Sequence, residues 1–435
     1  MVDWLGAARG RVLAPPAFLL LVLAPPALLL LVLAAAAPSP VRAEVPIGEL
    51  GRVEQLPDPP GDHWVWVADP VLRRSALVDL DSGEFLGTVD GGFGLVVPLD
   101  GVARPEIYVP ETHYSRGSRG VRTDVLTIYD RVRLAPIGEV VLPPKRAISA
   151  VPLAHAALTD DDRFAAIFNL TPATSLSIVD LASRTAVGEI EIPGCSLVYP
   201  AGARRFVSLC NDGSLLTVTL DDAGREASKR RSAPFFSPES DPITEDGVRR
   251  GASWYFFSVD GRVHGIDLAG ADPRFEEVWS LLEEADSPWR MGGRRHTAIH
   301  APTGRLFVLM HEGGGQESYK DAGSEVWVFD LDRRERVARI ELENPGPTIM
   351  GVPLEFGRAW AWPFDRLSGL VLGRLPAAVE EIQVTPDDHP LLVTSATFSG
   401  GIGVYDALDG AFVKRVYSGN FTNAALHART VGVAR

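Results

Sequence analysis

Leu176-Ser177-Ile178-Val179-Asp180-Leu181 is a short apolar run that ends on an acidic residue, and it is not alone in the chain. The same unit stands at Ala76-Leu77-Val78-Asp79-Leu80, Leu126-Thr127-Ile128-Tyr129-Asp130, Val263-His264-Gly265-Ile266-Asp267-Leu268, Val326-Trp327-Val328-Phe329-Asp330-Leu331 and Ile402-Gly403-Val404-Tyr405-Asp406. A weaker copy, Leu215-Leu216-Thr217-Val218, fills the gap after Asp180. An aspartate suits the end of a strand because its carboxylate accepts hydrogen bonds from turn amides. Several copies are followed by a second apolar alternation, such as Val187-Gly188-Glu189-Ile190 or Val337-Ala338-Arg339-Ile340, which reads as the return arm of a hairpin. Most are preceded by another β-rich run, as at Phe164-Ala165-Ala166-Ile167-Phe168 or Leu306-Phe307-Val308-Leu309. A unit of three or four short strands repeating without a 3.6-residue period is the pattern of a propeller blade. The expectation is an all-β, seven-bladed β-propeller. Two β-sandwiches are the alternative, and they leave the recurrence of one unit unexplained.

Two stretches interrupt the repeat. The segment from Phe275 to Trp289, with Glu276, Glu277, Leu281, Leu282, Glu283 and Glu284, reads as a short amphipathic helix in a loop. The interval from Asp330 to Asp406 is too long for one blade, which places an insertion at about 345–378.

The chain has 435 residues, 46% of them hydrophobic, and a formal net charge of −14, a composition that fits a folded protein and disfavours nucleic acid as a partner. Its first 43 residues combine Arg9 and Arg11, a Leu-rich stretch and the small-residue exit Val41-Arg42-Ala43. That order is the pattern of a secretory signal cleaved after Ala43, leaving 44–435 as the propeller domain. An uncleaved anchor is the competing reading. Pro15-Pro16 and Pro25-Pro26 divide the apolar stretch and favour the signal.

The two cysteines flank a stretch that reads as two strands around Pro200-Ala201-Gly202-Ala203. With the turn centred there, Cys195 and Cys210 fall opposite each other and can form a disulfide, as an exported protein allows. A thiol nucleophile or a metal pair is the competing use. Of nine histidines only His296 and His300 are near neighbours, at a spacing that could give half a metal site on one strand face, but no third ligand follows. Gly313-Gly314-Gly315 lacks the lysine and the helix of a phosphate loop and reads as a plain loop. Glu111, Glu312 and Glu325 are candidate acids or bases, with a solvated surface as the plain alternative. No nucleophile elbow, zinc-protease pair or haem motif occurs. No catalytic residue and no metal site are therefore assigned to this chain.

Asp90-Gly91-Gly92-Phe93, Tyr114-Ser115-Arg116-Gly117 and Arg119-Gly120-Val121-Arg122-Thr123-Asp124 closely resemble the first blades of the amine dehydrogenase heavy (large) subunit, of the methylamine and aralkylamine type. Ile192-Pro193-Gly194-Cys195, Cys210-Asn211-Asp212-Gly213-Ser214-Leu215 and Trp289-Arg290-Met291-Gly292-Gly293 continue the resemblance in the same order, so that it covers most of the mature chain. It implies a periplasmic quinoprotein of two heavy and two light subunits, in which the heavy subunit is a propeller without a cofactor. The light subunit would carry tryptophan tryptophylquinone, oxidise a primary amine to aldehyde and ammonia, and pass electrons to a blue copper protein of amicyanin or azurin type. By the same match Phe93 lines the substrate entrance, where the residues alone would place it in a blade core. The Cys195–Cys210 pair also corresponds to one in the family. The insertion at 345–378, with Trp360 and Trp362, and the glycines at 313–315 depart from the pattern. A non-catalytic exported propeller that binds another molecule is the alternative function, and a metal-dependent propeller lactonase is a third.

The signal reading makes Glu44 the first residue of the exported protein. Intact-mass measurement and N-terminal sequencing of material recovered after export should give that end, and a mass retaining residues 1–43 would establish the anchor.

Overall fold

Each aspartate-terminated run is the third strand of an antiparallel sheet, counted outward from the centre of a ring of seven blades. In chain order these third strands are Arg74–Asp79, Arg122–Asp130, Ser175–Asp180, Leu215–Leu220, Arg262–Asp267, Glu325–Asp330 and Ile402–Asp406, and the blades are numbered accordingly. The computed structural model describes residues 55–428 apart from 96, 149–152, 344–347, 350–351, 354–377, 398–400, 421 and 423–424. Blade 1 is built from both ends of this span. Its second, third and fourth strands are Trp64–Asp69, Arg74–Asp79 and Phe85–Asp90, while its innermost strand is Ala425–Ala428, paired antiparallel with 65–68. The proposed signal, 1–43, lies outside the described residues. So does most of the 345–378 segment, whose described part is a small pairing of Thr348–Ile349 with Val352–Pro353. No helix among the described residues is long and apolar enough to cross a membrane.

Strand alternation explains why the blades pack on both sides. All six residues of Trp64–Asp69 are buried. Trp64 and Trp66 point toward blade 2 and pack with Ile107 and Val109, whereas Val65 and Val67 point toward blade 7 and pack with Val393 and Val404. The same two-sided pattern produces seven apolar clusters, one at each interface between neighbouring blades. Burying one such side chain contributes roughly 1.5–3 kcal/mol, so each interface is a core in its own right.

The aspartates do what the sequence assigned to them. The Oδ1 of Asp130 accepts from the amides of Val132 and Arg133 at 2.9 and 2.8 Å, and Asp180, Asp330 and Asp406 each accept from the amides two and three residues on. In blades 1, 2 and 7 the amide four residues after the aspartate (Gly83, Leu134, Gly410) closes the turn on its carbonyl. This fourth residue has positive φ, and where it is Leu134, Arg184 or Arg334 the turn holds a non-glycine there. The weak copy in blade 4 is weak because its aspartate sits one place beyond the strand: Asp221 accepts from Ala223 and Arg225.

The helix expected between Phe275 and Trp289 does not form. Arg274–Phe275 and Trp279–Ser280 instead pair in two pieces with the third strand of blade 5. Trp279 and Leu281 turn inward to the cluster around Val263 and Phe329 while Ser280 faces out, a period of two. The open edge of Arg262–Asp267 offers backbone partners that a separate helix would leave unused. Only Glu284–Asp286 makes a single 3-10 turn.

Replacing Asp130 by Ala removes the one oxygen that accepts from both amides and should lower stability by about 1–2 kcal/mol, whereas Asp130→Asn keeps an oxygen in place and should lose less. Denaturant unfolding of the two variants checks this, and equal losses would mean that the turn is held by something other than its carboxylate.

Candidate functional site

The link from the outer strand of blade 1 to the inner strand of blade 2 carries Asp90-Gly91-Gly92-Phe93, and the hairpin of blade 2 between Glu106–Tyr114 and Arg122–Asp130 lies beside it. The structure thus brings together three of the segments on which the resemblance rests. Phe93 is half-buried and belongs to none of the apolar clusters between blades. Its ring meets Tyr114 edge-on at 5.5 Å between centroids, and the Arg73 guanidinium stands 5.8 Å from its centre. Its backbone N–H donates to the carbonyl of Thr112. Gly92 is required by this approach, since a Cβ there would lie 2.0 Å from the same carbonyl oxygen.

Beneath the turn is a buried polar network. The Thr112 hydroxyl donates to Asp124 at 2.9 Å and accepts from Arg146 Nε at 3.2 Å, while Arg122 grips both oxygens of Asp124 at 2.9 and 2.8 Å. Burial pulls the Arg146 guanidinium down to about 10, which leaves it charged at neutral pH. On the other side of the turn the Tyr129 hydroxyl donates to the carbonyl of Asp90 at 2.7 Å and lies 3.4 Å from Glu111. Glu111 accepts from Thr127 at 3.0 Å and sits 2.9 Å from a ring nitrogen of His113. Its carboxyl is pushed up by burial, against the opposing pull of these hydrogen bonds. The network is a clamp: Thr112 and Tyr129 hold the backbone on either side of Gly91-Gly92 and set where the Phe93 ring points.

The other sequence candidates are elsewhere. Cys195 and Cys210 are register partners on the first two strands of blade 4 and are joined by a disulfide. His296 and His300 have separate partners: Thr244 and the carbonyl of Gly293 for one, Thr303 and the carbonyl of Asp387 for the other. No group of three His, Cys, Asp or Glu with metal-binding geometry occurs among the described residues. Gly313-Gly314-Gly315 leads into a 3-10 turn, Gln316–Lys320, whose Ser318 hydroxyl meets His311. Glu325 accepts from Trp327 and Arg339 in the wall of blade 6, and Glu312 is exposed.

Residues 63–351 match the methylamine dehydrogenase heavy chain (MADH) family. The chain belongs to the methylamine dehydrogenase heavy chain family. Among individual members, the methylamine dehydrogenase heavy chain of Paracoccus versutus is 25% identical over 367 residues, covering 82% of this chain and 77% of its own. That of Methylorubrum extorquens is 27% identical over 301 residues, covering 64% and 70%. The β-propeller domain of Cps50 (Swd1) from Myceliophteria thermophila superposes with a TM-score of 0.50 at 10% identity, covering 80% of this chain and 94% of that domain, a likeness of fold alone. The span matched to the methylamine dehydrogenase heavy chain family takes in the Phe93 turn, its clamp and the disulfide, and it ends inside the 345–378 segment.

A carboxyl whose folded pKa is raised favours folding below its unfolded value, near 4.3, and that contribution is lost as pH rises through the folded value. Glu111→Gln removes the titration but keeps an acceptor for Thr127. The stability of the native protein relative to this variant should therefore fall as pH rises above about 4. Melting curves across that range check it, and a constant difference would mean that Glu111 does not titrate with folding.

Proposed function

We propose that this chain is the heavy subunit of a periplasmic quinoprotein amine dehydrogenase, without a cofactor of its own. It would assemble as two heavy and two light subunits and convert a primary amine and water to aldehyde and ammonia. The light subunit's tryptophan tryptophylquinone supplies the electron sink for that oxidation, and the electrons leave to a blue copper protein of amicyanin or azurin type. Membership of the heavy chain family is the observation that carries this reading.

The part played by this chain is positional. The Phe93 ring, half-buried and held from behind, offers an apolar surface at the mouth of a site completed by the partner. There it would limit the size of the amine that enters and keep water away from the reacting carbon. The clamp matters because an aromatic ring can sort substrates only if its own position is fixed. Thr112 holds the Phe93 amide, Gly92 lets the two backbones touch, and Tyr129 ties down the residue where the turn begins. No proton is moved by these groups in this reading, since acid–base work belongs to the light subunit.

Two measurements test the proposal. Complex purified from its native host should contain a second, smaller chain and show a visible quinone band that bleaches on addition of a primary amine; a colourless single chain would remove the reading. Within an active complex, Phe93→Ala should shift the ratio of kcat/KM between a bulky and a small amine by about tenfold, the scale of one lost apolar contact. Unchanged ratios across a series of amine sizes would take Phe93 out of the entrance.

A further inference from the structure

Where the last blade meets the first, one histidine stands between two carboxylates. His63 lies just before the second strand of blade 1. Its Nδ1 is 2.8 and 2.9 Å from the two oxygens of Asp81, in the turn that follows Asp79 of the same blade. Its Nε2 is 3.1 Å from Asp387, in the loop of blade 7 between Glu381–Val384 and Leu391–Ser395, and 3.3 Å from the carbonyl of His389. All of these partners are acceptors, so both ring nitrogens must carry hydrogen for both sides to be held, and only the imidazolium does. His300 of blade 6 shows the contrast. Its Nε2 donates to the carbonyl of Asp387 at 2.9 Å and its Nδ1 accepts from the Thr303 hydroxyl at 2.8 Å, an arrangement that a neutral ring satisfies.

The position recurs around the ring, and the histidine does not. In all seven blades the residue just before the second strand accepts, through its carbonyl, from an amide at the end of the third, as His63 does from Leu80. In the other six blades that residue is Pro105, Arg163, Arg204, Ala252, Gly304 or Pro390, none of which changes charge near neutral pH. The one member of the series that can do so stands at the junction where the ring closes. Its partner on blade 7 is fixed in advance, since Asp387 also accepts from the Thr385 hydroxyl at 2.7 Å and the His389 amide at 2.9 Å. A second tie crosses nearby, from Lys414 of blade 7 to the carbonyl of Asp81. Asp62, Asp388 and His389, the other titratable residues along these segments, are exposed.

We propose that His63, as an imidazolium, clasps the first blade to the last, and that the clasp loosens when the ring gives up its proton, a pH-sensitive device built into the closing junction. A neutral ring can donate to only one of the two carboxylates, and its other nitrogen then turns a lone pair toward an anion. Burial alone would lower the pKa of His63, but the hydrogen bonds and charges of Asp81 and Asp387 outweigh it and raise the pKa above its ordinary value. A raised folded value means that the clasp contributes fully below about pH 6.5 and is lost as pH rises through the folded value. Glu381, at the inner end of the same junction, also titrates: burial pushes its carboxyl up to about 8, and it accepts from the amide of Leu426. Leu426 therefore reports on Glu381. The amides of Leu80, bonded to the carbonyl of His63, and of His389, bonded to Asp387, report on the clasp.

The test is hydrogen–deuterium exchange of the full chain in its native assembly from about pH 5.5 to about pH 8.5, corrected for the intrinsic pH dependence of amide exchange. The amide of Leu181, which makes the same bond in blade 3 to the carbonyl of Arg163, is the internal reference. Relative to Leu181, opening at Leu80 and His389 should increase about fivefold across the range. His63→Gln should hold both at the high-pH level of the native protein throughout. Asp81→Asn, at the exposed end of the contact, should move the midpoint to lower pH, because it removes one of the two anions that favour the imidazolium. Should His63→Gln fail to fold, the native protein and Asp81→Asn still decide. Exchange at Leu80 and His389 that follows Leu181 at every pH, a dependence there that survives in His63→Gln, or a midpoint unmoved by Asp81→Asn would each overturn the proposal.

Discussion

Every blade of this molecule is apolar on both faces, and that one constraint governs the rest. A sheet with two apolar faces cannot stop at an edge of the structure; each face must meet another blade, and a row of such sheets is finished only when the last covers the first. The cluster joining Val393 and Val404 to Val65 and Val67 is where this happens, and the pairing of Ala425–Ala428 with 65–68 adds backbone hydrogen bonds to it. Because the packing is exhausted around the ring, the turns and the links between blades are left to vary. The Phe93 turn is built largely from such a link.

Much of this was legible because the repeated signal has one physical cause. An aspartate that caps the turn after the third strand is needed wherever that turn occurs, so the run ending at Asp180 could be found again at Asp79, Asp130, Asp267, Asp330 and Asp406. Closure was not legible in the same way. Residues 425–428 and 65–68 recognise each other through backbone pairing and through Leu426, which joins the cluster of Val65 and Val67, and a strand of four residues leaves too short a side-chain pattern to be found. The stretch from Phe275 to Trp289 misled because its acidic and apolar residues satisfy a helical spacing. What decided its conformation was the unpaired edge of Arg262–Asp267, the strand just before it, a pairing demand that the segment's own pattern does not express.

At the candidate site the sequence supplied the residue and the structure supplied its setting. Phe93 was singled out through the segments around it, and the residues alone gave as much reason to place it in a blade core. That it lies outside every cluster between blades depends on three-dimensional position. Thr112, Tyr129 and Arg146 carried no signal of their own, because a buried threonine, tyrosine or arginine within a strand pattern looks like ordinary wall. Cys195 and Cys210 were legible for the opposite reason: they are the chain's only cysteines, and the turn between them brings them within one residue of register, a bulge between Ser196 and Tyr199 completing the match.

The closing strand also imposes an order on events. Ala425–Ala428 lies near the end of the chain, whereas the strand it completes, Trp64–Asp69, is among the first to leave the ribosome. Blade 1 therefore waits for the whole of the chain with an unpaired inner edge, and its contact with the last strand is among the longest-range contacts the fold contains. Folding of such a topology is slow, and a strand edge left open meanwhile is a place where other chains can add. A chain interrupted before residue 425 would retain nearly all of the interfaces between blades and still lack the backbone pairing that reinforces the closure.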